Sequence, residues 1–242
     1  MSITRRRTLA LVLLGLVAAA CTGPRPHLGA VVDAGGAAAP KTGDQAVDTV
    51  VHALEHHESA VFTATYRVER KFGAKVSTAT VVVDRGRASI SIGDVLIVHG
   101  ATDHTCSISK KTCETGVVEA RLSDAGVTSH FFDTSPARRL RVAMTRRTGP
   151  ATTATETIAG VAATCVSVPI VLTPAVTVTS ASGTTVPGAT TANGAGGQVA
   201  AGVERYCTTA DGILAAWEGA DVAVQLTSLS TTIDEAAFKL PA

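Results

Sequence analysis

The sequence predicts an α+β domain built mainly from an antiparallel sheet, with two helices. Ala, Val, Thr and Gly dominate and aromatic residues make up only 3%; β-branched side chains favour sheet over helix. Short alternating runs are separated by Gly- and Asp-containing turns, which are too short for parallel crossovers. About two hundred residues can bury a sizeable core as one domain.

The two helices are predicted from apolar periodicity and from end signals. The first covers Asp44 to Glu58, where four apolar residues recur at the helical period of about 3.6 residues. These residues are Val47, Val50, Val51 and Leu54. In the second, Ser135 and Pro136 suit the N-cap and first helical position, and Gly149 suits the stop.

Four strands follow the first helix as a predicted meander. Apolar and polar residues alternate from Phe62 to Glu69, which indicates a half-buried strand. The next three runs are Val76 to Val83, Ala88 to Ile92 and Val95 to His99. Gly93 opens a two-residue loop that suits a type II′ turn. The runs around Val82 and Ile97 are apolar on both faces, so they need cover on both sides.

The second half of the chain returns to sheet. Cys106 to Cys113 predicts a stapled hairpin, and Thr157 to Val168 predicts a strand. Three closing strands are expected at Glu204 to Thr208, Ile213 to Trp217 and Val222 to Ser228. Residues 169–202 are mostly Thr, Ala, Ser, Gly and Pro without periodicity, which predicts a disordered insertion inside the domain.

Residues 1–20 have the features of a bacterial export signal. Three arginines at positions 5 to 7 precede an apolar run, Leu9 to Ala20, and small residues lead into Cys21. As a helix the run reaches about 18 Å, too short for a hydrocarbon core of about 30 Å. The ending resembles the lipobox of bacterial lipoproteins, with Ala18 where leucine is usual. The resemblance implies cleavage before Cys21 and acylation of its sulfur; an ordinary secretory signal is the alternative.

The chain without its signal gives no reason to expect a nucleic-acid partner. It has 242 − 20 = 222 residues, with 21 − 3 = 18 Lys and Arg against 20 Asp and Glu, a net charge near −2. Residues 21–42, rich in Gly, Ala and Pro, predict a flexible tether before a domain at 43–242. Arg6-Arg7 also resembles a twin-arginine motif. The export route is therefore either the twin-arginine pathway or general secretion.

Four cysteines besides Cys21 predict two disulfides, because an even number in an exported chain favours pairing. Three pairings are possible. We favour Cys106–Cys113, which are close in sequence, and Cys165–Cys207, which would close a long loop. Metal ligation is disfavoured, because there is no CxxC spacing and no histidine near Cys165 or Cys207.

The order of elements behind a lipobox resembles the LolA/LolB-like lipoprotein-carrier fold, including the LppX/LprG group of actinobacterial lipoproteins. The features that match are Thr157 to Cys165 (TIAGVAATC), Tyr206-Cys207 with Asp211-Gly212, and the closing Phe-x-Leu-Pro. The resemblance covers about Asp44 to Ala242 without the insertion. It implies a strongly curved half-barrel with helices covering one face, whose apolar hollow binds acyl chains.

A curved sheet covered by two modest helices leaves room for an apolar ligand such as a lipid. The candidates for the lining are Phe62, Tyr66, Val82 and Ile97. Small side chains leave an alternative open, since they also allow close packing and a filled core. We therefore expect a lipoprotein at the extracytoplasmic face of the cell membrane that binds or carries a lipid; the alternative is a non-catalytic interaction or structural lipoprotein.

One stretch matches a catalytic pattern. His52 to His56 reads H-x-x-E-H, in which two histidines one turn apart share a zinc and Glu55 acts as base. The helical wheel places both histidines opposite the apolar stripe, so we expect a solvated face, no metal, no cofactor and no enzyme. An arginine-rich run at 138–147 is expected to be solvated or to contact anionic headgroups.

The lipobox interpretation predicts that Cys21→Ala moves the protein from the membrane fraction to a soluble or uncleaved form, because no sulfur remains to be acylated. Membrane fractionation and mass spectrometry of the N-terminal peptide measure this. An alanine variant that is still diacylated and membrane-bound would show the interpretation to be wrong.

Overall fold

The computed structural model describes residues 41–56, 60–132, 135–171 and 201–241. Within these ranges there are two α-helices, α1 (Gln45–Glu55) and α2 (Ser135–Thr145). The strands are β1 (Phe62–Arg70), β2 (Lys75–Asp84), β3 (Arg87–Ile92), β4 (Val95–His99), β5 (His104–Ser107), β6 (Thr112–Thr115), β7 (Thr152–Ile158), β8 (Val161–Val171), β9 (Ala201–Thr209), β10 (Leu214–Glu218) and β11 (Val222–Ser230). Short 3₁₀ turns lie at Glu119–Arg121, Ser123–Ala125 and Glu235–Phe238.

The strands form one antiparallel sheet in the order β6-β5-β4-β3-β2-β1-β11-β10-β9-β8-β7. Strands β1 to β6 and β7 to β11 are therefore two meanders whose members are neighbours in sequence. The two meanders are joined by β1 and β11, which pair from Thr63 opposite Ser230 to Arg70 opposite Val222. The predicted α+β class and the antiparallel meander after the first helix are confirmed.

The sheet is curved. Three strands separate β7 from β11, and in a flat sheet these two strands would lie about 19 Å apart. Instead, Cα atoms of β7 and β11 approach within 8 Å of each other. Helices α1 and α2 pack on each other and on β8 and β9, and their buried side chains share one core cluster with the inner face of the sheet.

Helix α1 forms where the sequence predicts it. Asp44 caps its first turn, since its carboxylate accepts hydrogen bonds from the backbone N–H groups of Ala46 (3.0 Å) and Val47 (3.2 Å). Thr42, at the end of the predicted tether, donates from its N–H (2.7 Å) and its hydroxyl (2.8 Å) to Asp48. The four residues of the apolar stripe are each 3% exposed or less. These contacts fix the face that α1 turns to the sheet.

The predicted return to sheet at Thr157 to Val168 is confirmed, but the stretch is two strands and not one, because a hairpin turn divides it. Ala159 and Gly160 separate β7 from β8 and have φ of +52° and +81°. Two central residues with positive φ make a type I′ turn, whose twist matches that of the paired strands. Ala-Gly is a weak turn signal, so the sequence did not show the reversal.

Two predicted boundaries also differ. Helix α2 ends at Thr145, well before Gly149, because Thr148 donates its N–H to the Pro169 carbonyl (2.8 Å) and the chain turns toward β8. Strand β8 continues to Val171 and β9 begins at Ala201, so both ends of the predicted insertion are strand. The remainder of the insertion, 172–200, lies outside the described residues.

The disulfides join Cys106 to Cys113 and Cys165 to Cys207, the pairs favoured from the sequence. Each links directly opposite residues of neighbouring strands, β5 with β6 and β8 with β9. Their presence indicates an oxidising, extracytoplasmic compartment. The predicted signal, Cys21 and most of the tether lie outside the described residues. No helix of the described part is long and apolar enough to cross a bilayer.

The two disulfides should differ in their contribution to stability. Replacing Cys165 and Cys207 together by alanine should lower the free energy of unfolding by about 4 kcal/mol, and replacing Cys106 and Cys113 by about 2.5 kcal/mol. The reason is that the bridges close loops of different length, with sequence separations of 42 and 7 residues. Denaturant unfolding of both double variants measures the losses; a larger loss from the shorter loop would contradict this account.

Candidate functional site

Three of the four predicted lining residues face the inside of the curved sheet. Phe62, Tyr66 and Ile97 are each 2% exposed or less and belong to the main core cluster. Phe62 and Tyr66 alternate along β1, and Ile97 lies on β4. The structure therefore brings these three side chains to the same face of the sheet. For the two residues on β1 this follows from the two-residue period of a strand.

The inside of the sheet at these positions is occupied by other side chains of the chain. Phe131 and Phe132, from the segment between β6 and α2, are both buried. The Phe132 ring lies 4.8 Å from the Tyr66 ring, and the Phe131 ring 5.1 Å from the Trp217 ring, between centroids. With Tyr206, whose ring is 6.4 Å from that of Trp217, these residues form the aromatic cluster. These rings pack against one another inside the sheet, where the resemblance places a ligand.

Val82, the fourth predicted lining residue, lies on the other face of the sheet. It is buried, but its neighbour Val81 belongs to the main core cluster and Val82 does not. Successive residues of a strand point to opposite faces, and Val82 stands opposite Thr63 on β1 and Ser89 on β3. The prediction that Val82 lines the same hollow as Tyr66 is therefore wrong.

The Tyr66 hydroxyl is a polar group inside this core. It is buried and has no hydrogen-bond partner among the described residues. Burial raises the pKa of the phenol well above its ordinary value, because the charged form loses its hydration. Tyr206, by contrast, donates its hydroxyl to the Glu204 carboxylate (2.5 Å).

An open groove of about 650 Å³ runs beside α1; we call it the α1 groove. Its lining residues come from α1, the start of β1, the turn between β9 and β10, and the end of β11. They are Thr49, His52, Ala53, His56, Ala60, Val61, Phe62, Ala210, Asp211, Gly212, Ile213, Leu229 and Thr231. Apolar side chains and the polar side chains of histidine, threonine and aspartate therefore share the lining about equally.

The turn between β9 and β10 forms one wall of the α1 groove. Thr209 holds it closed: its N–H donates to the Ile213 carbonyl (2.9 Å), and its hydroxyl accepts from the Ile213 N–H (3.1 Å). Gly212 has φ of +78°, a conformation that glycine adopts without steric cost. Asp211-Gly212 was part of the family resemblance, but the sequence did not indicate that this turn faces α1.

The H-x-x-E-H stretch lies at the rim of the α1 groove. His52 and His56 are exposed, as the helical wheel predicted, and both line the groove. Glu55 is not free to act as a base. Its carboxylate accepts two hydrogen bonds from the Arg141 guanidinium of α2, one of them 2.8 Å long. These bonds lower the pKa of Glu55 and raise that of Arg141.

One other group of side chains contains atoms of the kinds that bind metal ions. Within the described residues, Glu156, Cys165 and Cys207 bring their ligand atoms within 4.8 Å of one another. Both cysteines are in the disulfide, so neither offers a thiolate to a metal. Arg205 donates to the Glu156 carboxylate instead. This cluster is therefore structural.

Most of the arginines of the 138–147 run make contacts inside the domain. Arg139 lies over the Trp217 ring, 5.0 Å from its centroid, Arg141 binds α1, and Arg146 donates to the Val171 carbonyl (3.0 Å). All of them except Arg141 are nevertheless exposed. The run is therefore more than a solvated face, and α2 offers only part of its charge to an anionic surface.

No protein-family model matches the chain, and no curated protein matches it. Among solved structures, MucB superposes with a TM-score of 0.43 and 14% identity, covering 81% of this chain and 63% of that one. The Pseudomonas aeruginosa MucA/MucB complex gives 0.42, 13%, 81% and 61%. MucB in complex with MucA(peri) gives 0.41, 12%, 80% and 59%. The chain thus spans about three fifths of these proteins.

The Glu55–Arg141 pair predicts a pH-dependent contribution to stability. Glu55→Gln should lower the free energy of unfolding by about 1 kcal/mol at neutral pH, because the two side chains are only 31% and 23% exposed. The pKa of Glu55 is lowered in the folded chain, so this stability is present above its unfolded pKa and disappears as pH falls through the folded one. Urea unfolding from about pH 7 to about pH 3 measures this.

Glu218→Gln is the matched control. Glu218 pairs with Lys71 and is 51% exposed, so its replacement should cost less than about 0.5 kcal/mol. An equal cost for the two variants at neutral pH, or a difference that persists in acid, would contradict the assignment.

Proposed function

We propose that this chain is a lipid-anchored envelope protein that binds an apolar ligand in the α1 groove and catalyses no reaction. Acylated Cys21 holds it at the extracytoplasmic face of the cell membrane. Its sheet is a half-barrel of the LolA/LolB-like kind, in the manner of the LppX/LprG group. The observation that carries the proposal is an open groove beside α1, about half of whose lining is apolar.

The anchor is supported by the sequence and by the compartment. A basic start, a short apolar run and small residues precede Cys21, which is the arrangement of an export signal. The disulfides Cys106–Cys113 and Cys165–Cys207 require an oxidising environment outside the cytoplasm. Both features support export, and the cysteine supports acylation.

The groove suits part of a long apolar chain. Its volume of about 650 Å³ lies within the range of small-ligand sites. Micromolar affinity corresponds to about 8 kcal/mol, and each buried methylene contributes about 0.8 kcal/mol. About ten methylenes must therefore be buried, and more to offset the cost of ordering the ligand. A lipid acyl chain meets this requirement, whereas a short apolar molecule does not.

The filled interior favours a second function, that of a non-catalytic interaction module. Phe131 and Phe132 occupy the inner face of the sheet at Tyr66, so no ligand enters there without moving them. Glu55 is bound to Arg141, which supports the absence of catalysis in both cases. The two functions differ in whether the groove takes up a lipid.

Binding of a long-chain fluorescent lipid to the soluble domain, Thr22 onward, tests the proposal. We expect saturable binding with micromolar or better affinity. Ala53→Trp should weaken it about tenfold, or about 1.4 kcal/mol, because Ala53 is half-buried in the wall of the groove and an indole would occupy the ligand's space.

The control is Ala46→Trp, the same change on the same helix. Ala46 is exposed and does not line the groove, so its variant should bind lipid as the unmodified domain does. Equal weakening by both variants would place the ligand elsewhere. No saturable binding by a domain with a normal melting transition would favour the interaction module.

A further inference from the structure

The outer side of α2 carries a group of arginines that the proposed function does not use. Arg138, Arg139, Arg146 and Arg147 are exposed, and Val142, which lies among them, is 48% exposed. Arg138, Val142 and Arg146 follow one another at intervals of four residues, so they lie along one side of the helix and the turn that ends it. The opposite side of α2 is buried in the core. We call these five exposed residues the arginine face.

The positive charge of the arginine face is not neutralised within the described part of the chain. Helix α2 contains no acidic residue, and the arginine of this run that forms an ion pair there, Arg141, is not on the face. Arg139 lies over the ring of Trp217, and Arg146 donates to a backbone carbonyl; neither contact removes a charge. The chain without its signal has a net charge near −2, so this cluster of cations is a local feature that attracts anions.

The arginine face lies beside the point where the predicted tether joins the domain. Gly43 and Asp44 border a shallow recess together with Arg147. The Asp44 carboxylate accepts hydrogen bonds from backbone N–H groups of α1, and it forms no ion pair with Arg147 in the described part of the chain. Lys41, the first described residue, is exposed and adds a further positive charge. An anchor at Cys21 is therefore connected to the domain next to this face.

We propose that the arginine face docks on the surface of a bilayer that contains anionic phospholipids. Guanidinium groups donate hydrogen bonds in pairs to phosphate oxygens, and Val142 reaches the apolar boundary between the headgroups. A protein partner requires a surface of matching shape, whereas a fluid layer of headgroups adapts to an exposed helix that offers charge and one small apolar side chain. The place of this contact in the cell rests on the proposed anchor; the contact itself needs neither the anchor nor a ligand in the α1 groove.

Flotation with lipid vesicles tests the proposal on the mature chain carrying Cys21→Ser, which has no anchor. Vesicles of phosphatidylcholine and phosphatidylglycerol in equal parts should bind it, and vesicles of phosphatidylcholine alone should not. Binding at about 0.1 M salt should be lost at about 1 M, because the Debye length falls from about 10 Å to about 3 Å. Replacing Arg138 and Arg147 together by glutamine should weaken partitioning about twenty-five-fold, since each arginine near an anionic surface strengthens it about fivefold.

The matched control is Arg85→Gln with Lys111→Gln, which lowers the net charge by the same amount. Both residues are exposed, in the turns between β2 and β3 and between β5 and β6, whereas α2 packs on α1, β8 and β9. This variant should bind anionic vesicles as the unmodified chain does. No binding by the unmodified chain, or equal weakening by the two double variants, would overturn the proposal. Melting temperatures equal to that of the unmodified chain show that both variants fold.

The variant Ala53→Trp keeps this proposal apart from the proposed function. It should take up less fluorescent lipid in the α1 groove and still bind anionic vesicles, whereas the variant without Arg138 and Arg147 should show the reverse. Loss of vesicle binding in Ala53→Trp would place the bilayer contact at the groove and overturn the arginine face as the docking surface. Uptake of fluorescent lipid by a chain that does not bind anionic vesicles would overturn only the docking proposal.

Discussion

The aromatic cluster is the packing interaction on which the rest of the structure depends. The chain has one tryptophan, two tyrosines and five phenylalanines, and the cluster gathers the tryptophan, both tyrosines and two phenylalanines. Tyr66, Tyr206 and Trp217 project from β1, β9 and β10, and Phe131 and Phe132 enter from the segment before α2. Large aromatic side chains fill the space inside a curved sheet, which the smaller side chains of valine and alanine alone do not.

The aromatic cluster also bears on the proposed ligand. Phe132 covers the inner face of the sheet at Tyr66, whereas the α1 groove is open at the side of the described part of the chain. The Glu55–Arg141 pair joins α1 to α2, and the buried stripe of α1 fixes the rotation of the helix. That rotation places His52 and His56 at the rim of the groove. The ion pair thus occupies the base of a hydrolytic motif, while the buried stripe leaves the two histidines exposed.

The sequence predicted those elements whose signal is local. The stripe on α1 and the alternation on β1 were correct because each burial pattern follows directly from the period of one element. The hairpin at Ala159-Gly160 was missed because its turn chemistry is weak, and α2 ends early because Thr148 binds Pro169, a contact between distant segments. Val82 was placed on the wrong face because three consecutive valines show no alternation of apolar and polar residues. Which of them point inward is decided by the neighbouring strands with which they pair.

By itself the sequence determined the class of the domain, the helix stripe and the favoured cysteine pairs. Composition, short-range periodicity and cysteine parity are all local or additive properties. Only the tertiary structure decided that β1 pairs with β11, that the sheet curves, and that aromatic rings from four segments meet inside it. Pairing between the first and last strands joins residues about 160 positions apart, and no local pattern specifies such a partner. The α1 groove exists for the same reason, since its walls come from segments that only folding brings together.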